Sequence, residues 1–193
     1  MPKYESKTFR KGFEIIKNEN FIEKVNSKKI AIFSTCYMNF NEPNICNDFL
    51  KILNHNDIYP IIIEGEKCCG MPKLELGDIE SVEKLKNNNI KKMVKLVIEG
   101  YSIINLVPSC TLMFKQELPL LFPNDKDIEK VKDSMNDPFE YLYKLYEDGL
   151  LNTKFSRKLG KVSYHVPCHL RVQNMGLKTK KILQLIIVLY YLI

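Results

Sequence analysis

Ile58-Tyr59-Pro60-Ile61-Ile62-Ile63, followed five residues later by Cys68-Cys69-Gly70, is the stretch that decides the fold. The apolar run is short and β-branched, which predicts a buried strand. Two adjacent cysteines follow it with a glycine behind them. Neighbouring side chains on extended backbone point apart, so both thiols face one centre only if the chain bends there. Gly70 permits that bend because it can adopt positive φ. Taken alone, the pair is also compatible with two buried apolar cysteines, since free cysteine is often interior. The positions of the other cysteines decide between these readings.

Working outward, three more strands are predicted. Lys29-Ile30-Ala31-Ile32-Phe33-Ser34 ends at Thr35-Cys36. Ser102-Ile103-Ile104-Asn105-Leu106-Val107 ends at Pro108-Ser109-Cys110. Val162-Ser163-Tyr164-His165-Val166 ends at Pro167-Cys168-His169. Between them lie helical patterns. One runs from about Asn44 to His55, with Ile45, Phe49, Ile52 and Leu53 on one face. Another spans 78–99, with Asp78 as N-cap and Gly100 at its C-terminal stop. A short helix is expected from Thr111 towards Leu118, before Pro119. Asp137-Pro138-Phe139-Glu140 has the form of a capping box, opening a helix that ends at Gly149. A last helix begins near Lys178. In residues 1–27, Phe13, Ile16 and Phe21 would anchor a short helix with no evident chemistry. The alternation predicts an α/β fold, a mostly parallel sheet with helices on both faces. Ligands in such sheets bind at the carboxyl ends of the strands.

Five of the six cysteines fall just past a predicted strand end: Cys36, Cys68, Cys69, Cys110 and Cys168. Cys46 lies inside a helix and is assigned to the core. Cys36, Cys68, Cys69 and Cys110 would therefore converge, although 73 residues separate the first from the last. Met1-Pro2-Lys3-Tyr4-Glu5 lacks the apolar core of an export signal. The thiols are accordingly expected to be reduced, and the protein to be cytoplasmic, at most peripheral at the inner face of a membrane. Four thiols gathered in a reducing compartment suggest a metal centre. The Cys-x₂₋₄-Cys knuckles usual for zinc are absent, as is ferredoxin spacing. Spacing alone leaves an iron–sulfur cluster, zinc and unliganded thiols open, the cluster favoured because it is large enough to span separate loops.

The spacing brings in a family. Thirty-one residues separate Cys36 from Cys68, Cys-Cys-Gly follows, and 40 residues (Gly70 to Ser109) lie between Cys69 and Cys110 in Val107-Pro108-Ser109-Cys110-Thr111. This resembles the cysteine-rich "CCG" domain of the heterodisulfide reductase B-subunit family. Tyr164-His165-Val166-Pro167-Cys168-His169-Leu170-Arg171 resembles the opening of a second such domain. Together they are most similar to the branch containing the C-subunit of anaerobic glycerol-3-phosphate dehydrogenase. The resemblance implies a 4Fe–4S cluster held by Cys36, Cys68, Cys69 and Cys110, with Gly70 shaping the turn and Cys168 contributing to a second metal site. It also implies a non-catalytic electron-transfer part of an oxidoreductase, relaying electrons from a flavoprotein dehydrogenase to the quinone pool or a soluble acceptor. The implied organisation is an extension over 1–27, a first cysteine-rich domain over 28–160 and the start of a second over 161–193.

The chain departs from that pattern in three places. Val107 stands where the family's fullest motif has the first cysteine of Cys-x-x-Cys, which suits a cubane cluster better than the non-cubane centre. No second Cys-Cys-Gly follows Cys168, and the apolar run Ile182–Ile193 has no polar end, which suggests a shortened member. No ferredoxin cysteines precede Cys36.

Other classes find little support. The net charge of +6 is spread over short lysine clusters such as Lys28-Lys29, Lys91-Lys92 and Lys180-Lys181, without the interleaved aromatics of a nucleic-acid surface. The twelve-residue apolar end is too short to cross a bilayer. There is no Gly-x-Gly-x-x-Gly or Walker sequence, and Cys168 to Arg171 is too short for a phosphatase loop. His165 and His169 flank Cys168, but are assigned to packing rather than to activating a nucleophile. The alternative reading is a thiol–disulfide or zinc-binding protein using the same cysteines, or a non-functional fragment of a longer protein.

Overall fold

The structure is a computed structural model and describes residues 3–20, 28–155 and 160–186, with the backbone alone over 15–20. Helix α1 (Phe9–Asn20) precedes strand β1 (Ile30–Phe33). Short helix α2 (Cys36–Phe40) and helix α3 (Pro43–His55) lead to β2 (Ile61–Ile62). Helices α4 (Met71–Glu75) and α5 (Ile79–Ile98) lead to β3 (Ser102–Asn105). A continuous helical run follows: α6 (Pro108–Leu112), a π-helical turn (Met113–Glu117) and α7 (Leu118–Leu121). Then come α8 (Lys126–Ser134), β4 (Met135–Asn136), α9 (Pro138–Glu147), α10 (Cys168–Arg171) and α11 (Lys178–Gln184).

The four strands form one parallel sheet in the order β2-β1-β3-β4. Ala31 lies beside Ile61 on one side and Ile103 on the other, and Ile103 beside Met135. This confirms the α/β expectation and explains the apolar strands: central β1 is buried throughout and β3 at three of its four residues, while edge strand β2 is half-buried. Ala31, Phe33, Ile63, Ile103 and Met135 enter one core with Val82, Met93, Phe114, Leu118 and Val131. Ile30, Ile32 and Ile104 enter the other, with Phe9, Phe13, Phe49, Leu53, Leu142 and Ile182. The period-2 alternation of β1 thus fills two separate cores, and Phe33 meets Phe114 edge-on with ring centroids 5.1 Å apart.

Several expected helix ends are found. Asp78 accepts the N–H of Ser81 at 3.1 Å, and Gly100 takes φ 88° after α5. Asp137 accepts the N–H of Phe139, with Pro138 at the first helical position. Glu140 does not close the capping box. Its carboxylate turns to Lys115 (2.7 Å) and Lys178 (3.1 Å), pairing α9 with the π-helical turn and with α11.

Four expectations are corrected. The strand expected over 58–63 is β2, only Ile61–Ile62, because Pro60 has no N–H to give to a ladder. The strand expected over 102–107 stops at Asn105, where Asn105 Oδ1 takes the N–H of Val107 and turns the chain. The helix expected from Thr111 to Leu118 begins at Pro108 and continues past Pro119 to Leu121. The wider π-helical turn just before Pro119 relieves the i→i−4 register that a proline ring would break. The strand expected at Val162–Val166 is reduced to a single bridging residue, Tyr164. No residue from 161 to 167 is fully buried, and the fourth place in the sheet is taken by β4. Residues 168–186 pack back on the same body: α10 on α6, and α11 on α9. Of the helix anchors expected near the start, Phe13 is buried in α1; Ile16 and Phe21 lie outside the described side chains, as does the end of the apolar run beyond residue 186. Among the described residues, no helix is long and apolar enough to cross a membrane.

Candidate metal centre

The parallel register puts the carboxyl ends of β1, β2 and β3 on one edge. The order β2-β1-β3-β4 reverses direction between β1 and β3, the place where such sheets open a crevice. Cys36 is the first residue of α2, directly after β1. The turn into it is made by Thr35 at φ 57°, an unusual angle for a β-branched residue. The Thr35 hydroxyl oxygen accepts the N–H of Met38 at 3.0 Å and holds the turn. Cys110 lies in α6, after β3. Cys68 and Cys69 end the loop that leaves β2, and Gly70 follows at φ 100°, ψ −10°, in the left-handed region open to glycine. Met113 Cε lies 3.4 Å from where a Cβ would sit on Gly70.

These loops bring four thiols into one row. Cys36 is hydrogen-bonded to Cys68, Cys68 to Cys69, and Cys69 to Cys110. The row runs from the surface inward: Cys36 is exposed, Cys68 half-buried, and Cys69 and Cys110 buried. Among the four thiols, these contacts pull the pKa of Cys68 down. Donation from Cys36 and Cys69 lowers its pKa most; burial opposes this, and the N–H groups of Gly70 and Cys69 add to the lowering. Cys36 is pushed up by its bond to Cys68 and by burial. Cys69 is pushed up by its bonds to Cys110 and Cys68, and by burial. Further backbone N–H groups reach sulfur from Tyr37 to Cys36 and from Met71 to Cys69.

The donor set fits an iron–sulfur cluster in three respects. It supplies four sulfurs from three separate loops. Backbone N–H groups are directed at the sulfurs, as they are around protein-bound clusters. Asn105 Nδ2, fully buried at the end of β3 on the same sheet edge, has no acceptor. Among the described residues, no group of three or more His, Cys, Asp or Glu side chains encloses a point suited to a single metal ion.

Cys168 stands apart. It is exposed at the start of α10, and the contacts of the row do not include it. It remains tethered nearby, since α10 packs on α6. His165 is exposed and His169 half-buried. Cys46 is fully buried in the second core, as its helical position implied, and burial pushes its thiol up to about 12. Sequence reasoning missed the polar side chains that hold the Cys68 loop: Ser34, Glu66 and Asn89. Their only signal was polar type at positions where an apolar pattern should continue.

Comparison with known proteins bears on this parallel α/β domain with its row of cysteines at the strand ends. Residues 30–115 match the family described as "CCG: Cysteine-rich domain". Over 185 residues it is 26% identical to the C-subunit of anaerobic glycerol-3-phosphate dehydrogenase of Escherichia coli, covering 95% of this chain and 45% of the relative. It is 28% identical to an uncharacterised iron–sulfur protein of Methanococcus maripaludis, covering 94% of this chain and 39% of the relative. It is also 28% identical to the B-subunit of fumarate reductase (CoM/CoB) of Methanothermobacter marburgensis, covering 86% and 31%. The chain thus spans less than half the length of these three relatives. No solved structure matches it.

Proposed function

We propose that this chain is an electron-transfer module in which Cys36, Cys68, Cys69 and Cys110 hold a 4Fe–4S cluster. The observation that carries the reading is the unbroken row of four thiols at the sheet edge. Four cysteine thiolates are the usual ligand set of such a cluster. Bound there, the cluster supplies one-electron storage and relay. The chain's own contribution is positional. Gly70 turns the backbone so that its N–H and that of Cys69 reach Cys68 sulfur. The first core buries Cys69 and Cys110, shielding the inner end from water, and exposed Cys36 marks the end open to a redox partner. That partner is a flavoprotein dehydrogenase on the donor side, with the quinone pool or a soluble carrier accepting. Relatives named as subunits of a dehydrogenase and of a reductase support the assignment. Cys168 is assigned to a separate metal site.

A second reading is favoured by the contact between the exposed Cys36 thiol and Cys68, whose pKa its neighbours lower: thiol–disulfide chemistry, in which a stabilised thiolate is the reactive species. One experiment separates the two. The chain is purified without oxygen and incubated with ferrous iron and sulfide. Brown colour, with iron and acid-labile sulfide in near-stoichiometric amounts, supports the cluster. A colourless protein carrying zinc, or no metal, rejects it.

A further inference from the structure

The loop from Ile63 to Cys68 leaves the sheet and has little regular backbone pairing, yet it must present two of the four thiols. Asn89, in the middle of α5, is 1% exposed and surrounded by a core. Its amide is spent on this loop. Oδ1 accepts the N–H of Lys67 at 2.8 Å, while Nδ2 donates to the carbonyls of Lys67 (3.2 Å) and Cys68 (3.0 Å). Asn88 adds a bond from Nδ2 to the Gly65 carbonyl at 3.2 Å. The other side of the loop is held by Glu66, whose carboxylate accepts the N–H of Ser34 at 2.8 Å, the Ser34 hydroxyl, and Arg10 at 2.8 Å. Ser34 lies two residues before Cys36, and Arg10 also donates to the Ile63 carbonyl at 2.7 Å.

We infer that Asn89 is a positioning residue for the thiol row, fixing the peptide groups on either side of Lys67 so that Cys68 and Cys69 face Cys36 and Cys110. A buried amide satisfying one donor and two acceptors on consecutive peptides sets the loop's direction more tightly than apolar packing, which is indifferent to rotation. With Asn89 gripping from α5 and Glu66 tied to the end of β1, the ligand loop is shaped before any iron arrives. The supporting shell of a metal site characteristically does this work. The consequence for a cluster rests on the function proposed above; the clamp itself is testable in the metal-free chain.

The test is alkylation of the metal-free protein by N-ethylmaleimide, followed cysteine by cysteine by peptide mass spectrometry, in the wild type and in Asn89→Ala and Asn89→Asp. Cys46, buried in the opposite core, reports general loosening. In Asn89→Ala, the rates at Cys68 and Cys69 should rise at least about tenfold while Cys46 stays slow, because only the loop opens locally. Asn89→Asp keeps the acceptor for Lys67 N–H but sets a buried carboxylate oxygen against the two carbonyls, so it should open the loop at least as far as Asn89→Ala. If neither variant accumulates, Asn88→Ala, which removes only the exposed bond to the Gly65 carbonyl, is the folded variant, and there the rate at Cys68 should rise by a smaller factor with Cys46 still slow; no rise there overturns the assignment. Unchanged rates at Cys68 and Cys69, or rates that rise in step with Cys46, overturn the assignment. In parallel, the chains are reconstituted with ferrous iron and sulfide. If the wild type takes up a cluster, Asn89→Ala should show a lower yield and an altered electron paramagnetic resonance spectrum. If the wild type takes up none, the cluster reading fails while the alkylation pattern still judges the clamp.

Discussion

Gln173 donates from Nε2 to the Pro108 carbonyl at 2.9 Å, fastening the segment that bears Cys168 to the start of α6, which bears Cys110. The same nitrogen bonds the His169 carbonyl at 2.8 Å, and the side chain is 7% exposed. Gln173→Ala should therefore loosen α10 without disturbing the sheet. Hydrogen exchange at residues 168–173 should accelerate while α5 keeps its protection, and stability should fall by about 1 kcal/mol, the usual net worth of such bonds. Unaltered exchange in α10 would show that apolar contacts such as Leu170 hold the segment instead.

Removing sulfur ligands gives the most direct check of the row. Cys36→Ser, Cys68→Ser, Cys69→Ser and Cys110→Ser should each lose most of the iron and sulfide that the wild type binds on anaerobic reconstitution. Cys46→Ser and Cys168→Ser should keep it, because neither sulfur belongs to the row. The measurement is iron and acid-labile sulfide per chain. Loss of the cluster in Cys168→Ser alone would move that residue into the ligand set.

Gly70→Ala tests the turn. Its φ of 100° is unfavourable for a residue with a Cβ, and the new methyl would meet Met113 Cε at 3.4 Å. The thioether end can move, so most of the cost is conformational, about 1–2 kcal/mol. The same strain moves the Gly70 N–H away from Cys68 sulfur. We expect a lower urea midpoint together with a shifted cluster potential; a change in stability with no change in potential would separate the turn from the sulfur.

Much of this site was legible because period and punctuation agree in the sequence. The alternation in Ile30-Ala31-Ile32-Phe33 fills two cores, and Asp78 and Gly100 bracket α5 where their chemistry requires. The cysteines after β1, β2 and β3 meet because a parallel register aligns those strand ends. What escaped is equally physical. β4 has only two residues, too few to show a period, so Val162–Val166 looked the better fourth strand. The π-helical turn before Pro119 has no local signature. Asn89 is one of three consecutive asparagines, Asn87-Asn88-Asn89, and only its position on the buried face of α5 makes it the residue that grips the Cys68 loop.

Asp137 gives a prediction that does not depend on the metal centre. It is 4% exposed, and burial lifts its pKa to about 6, with Glu140 adding to the rise; the N–H groups of Phe139 and Glu140, and Lys115, oppose it. In the unfolded chain an aspartate titrates near 3.9. Between about pH 4 and 6 the folded protein therefore keeps a proton that the unfolded chain has released, so stability falls as pH rises through that window and levels off above it. At about 1.4 kcal/mol per unit, the cost at neutral pH is about 3 kcal/mol. An asparagine in place of Asp137 would retain an oxygen for the N–H of Phe139, now 2.9 Å from Asp137 Oδ1, and asparagine is an equally good N-cap. The Asp137→Asn variant should thus match the wild type near pH 4 and exceed it by about 2–3 kcal/mol at pH 7. Urea unfolding of both proteins across this range measures the difference. A gap that stays constant from pH 4 to 7 would mean that Asp137 is ionised throughout and that its N-cap bonds outweigh its burial.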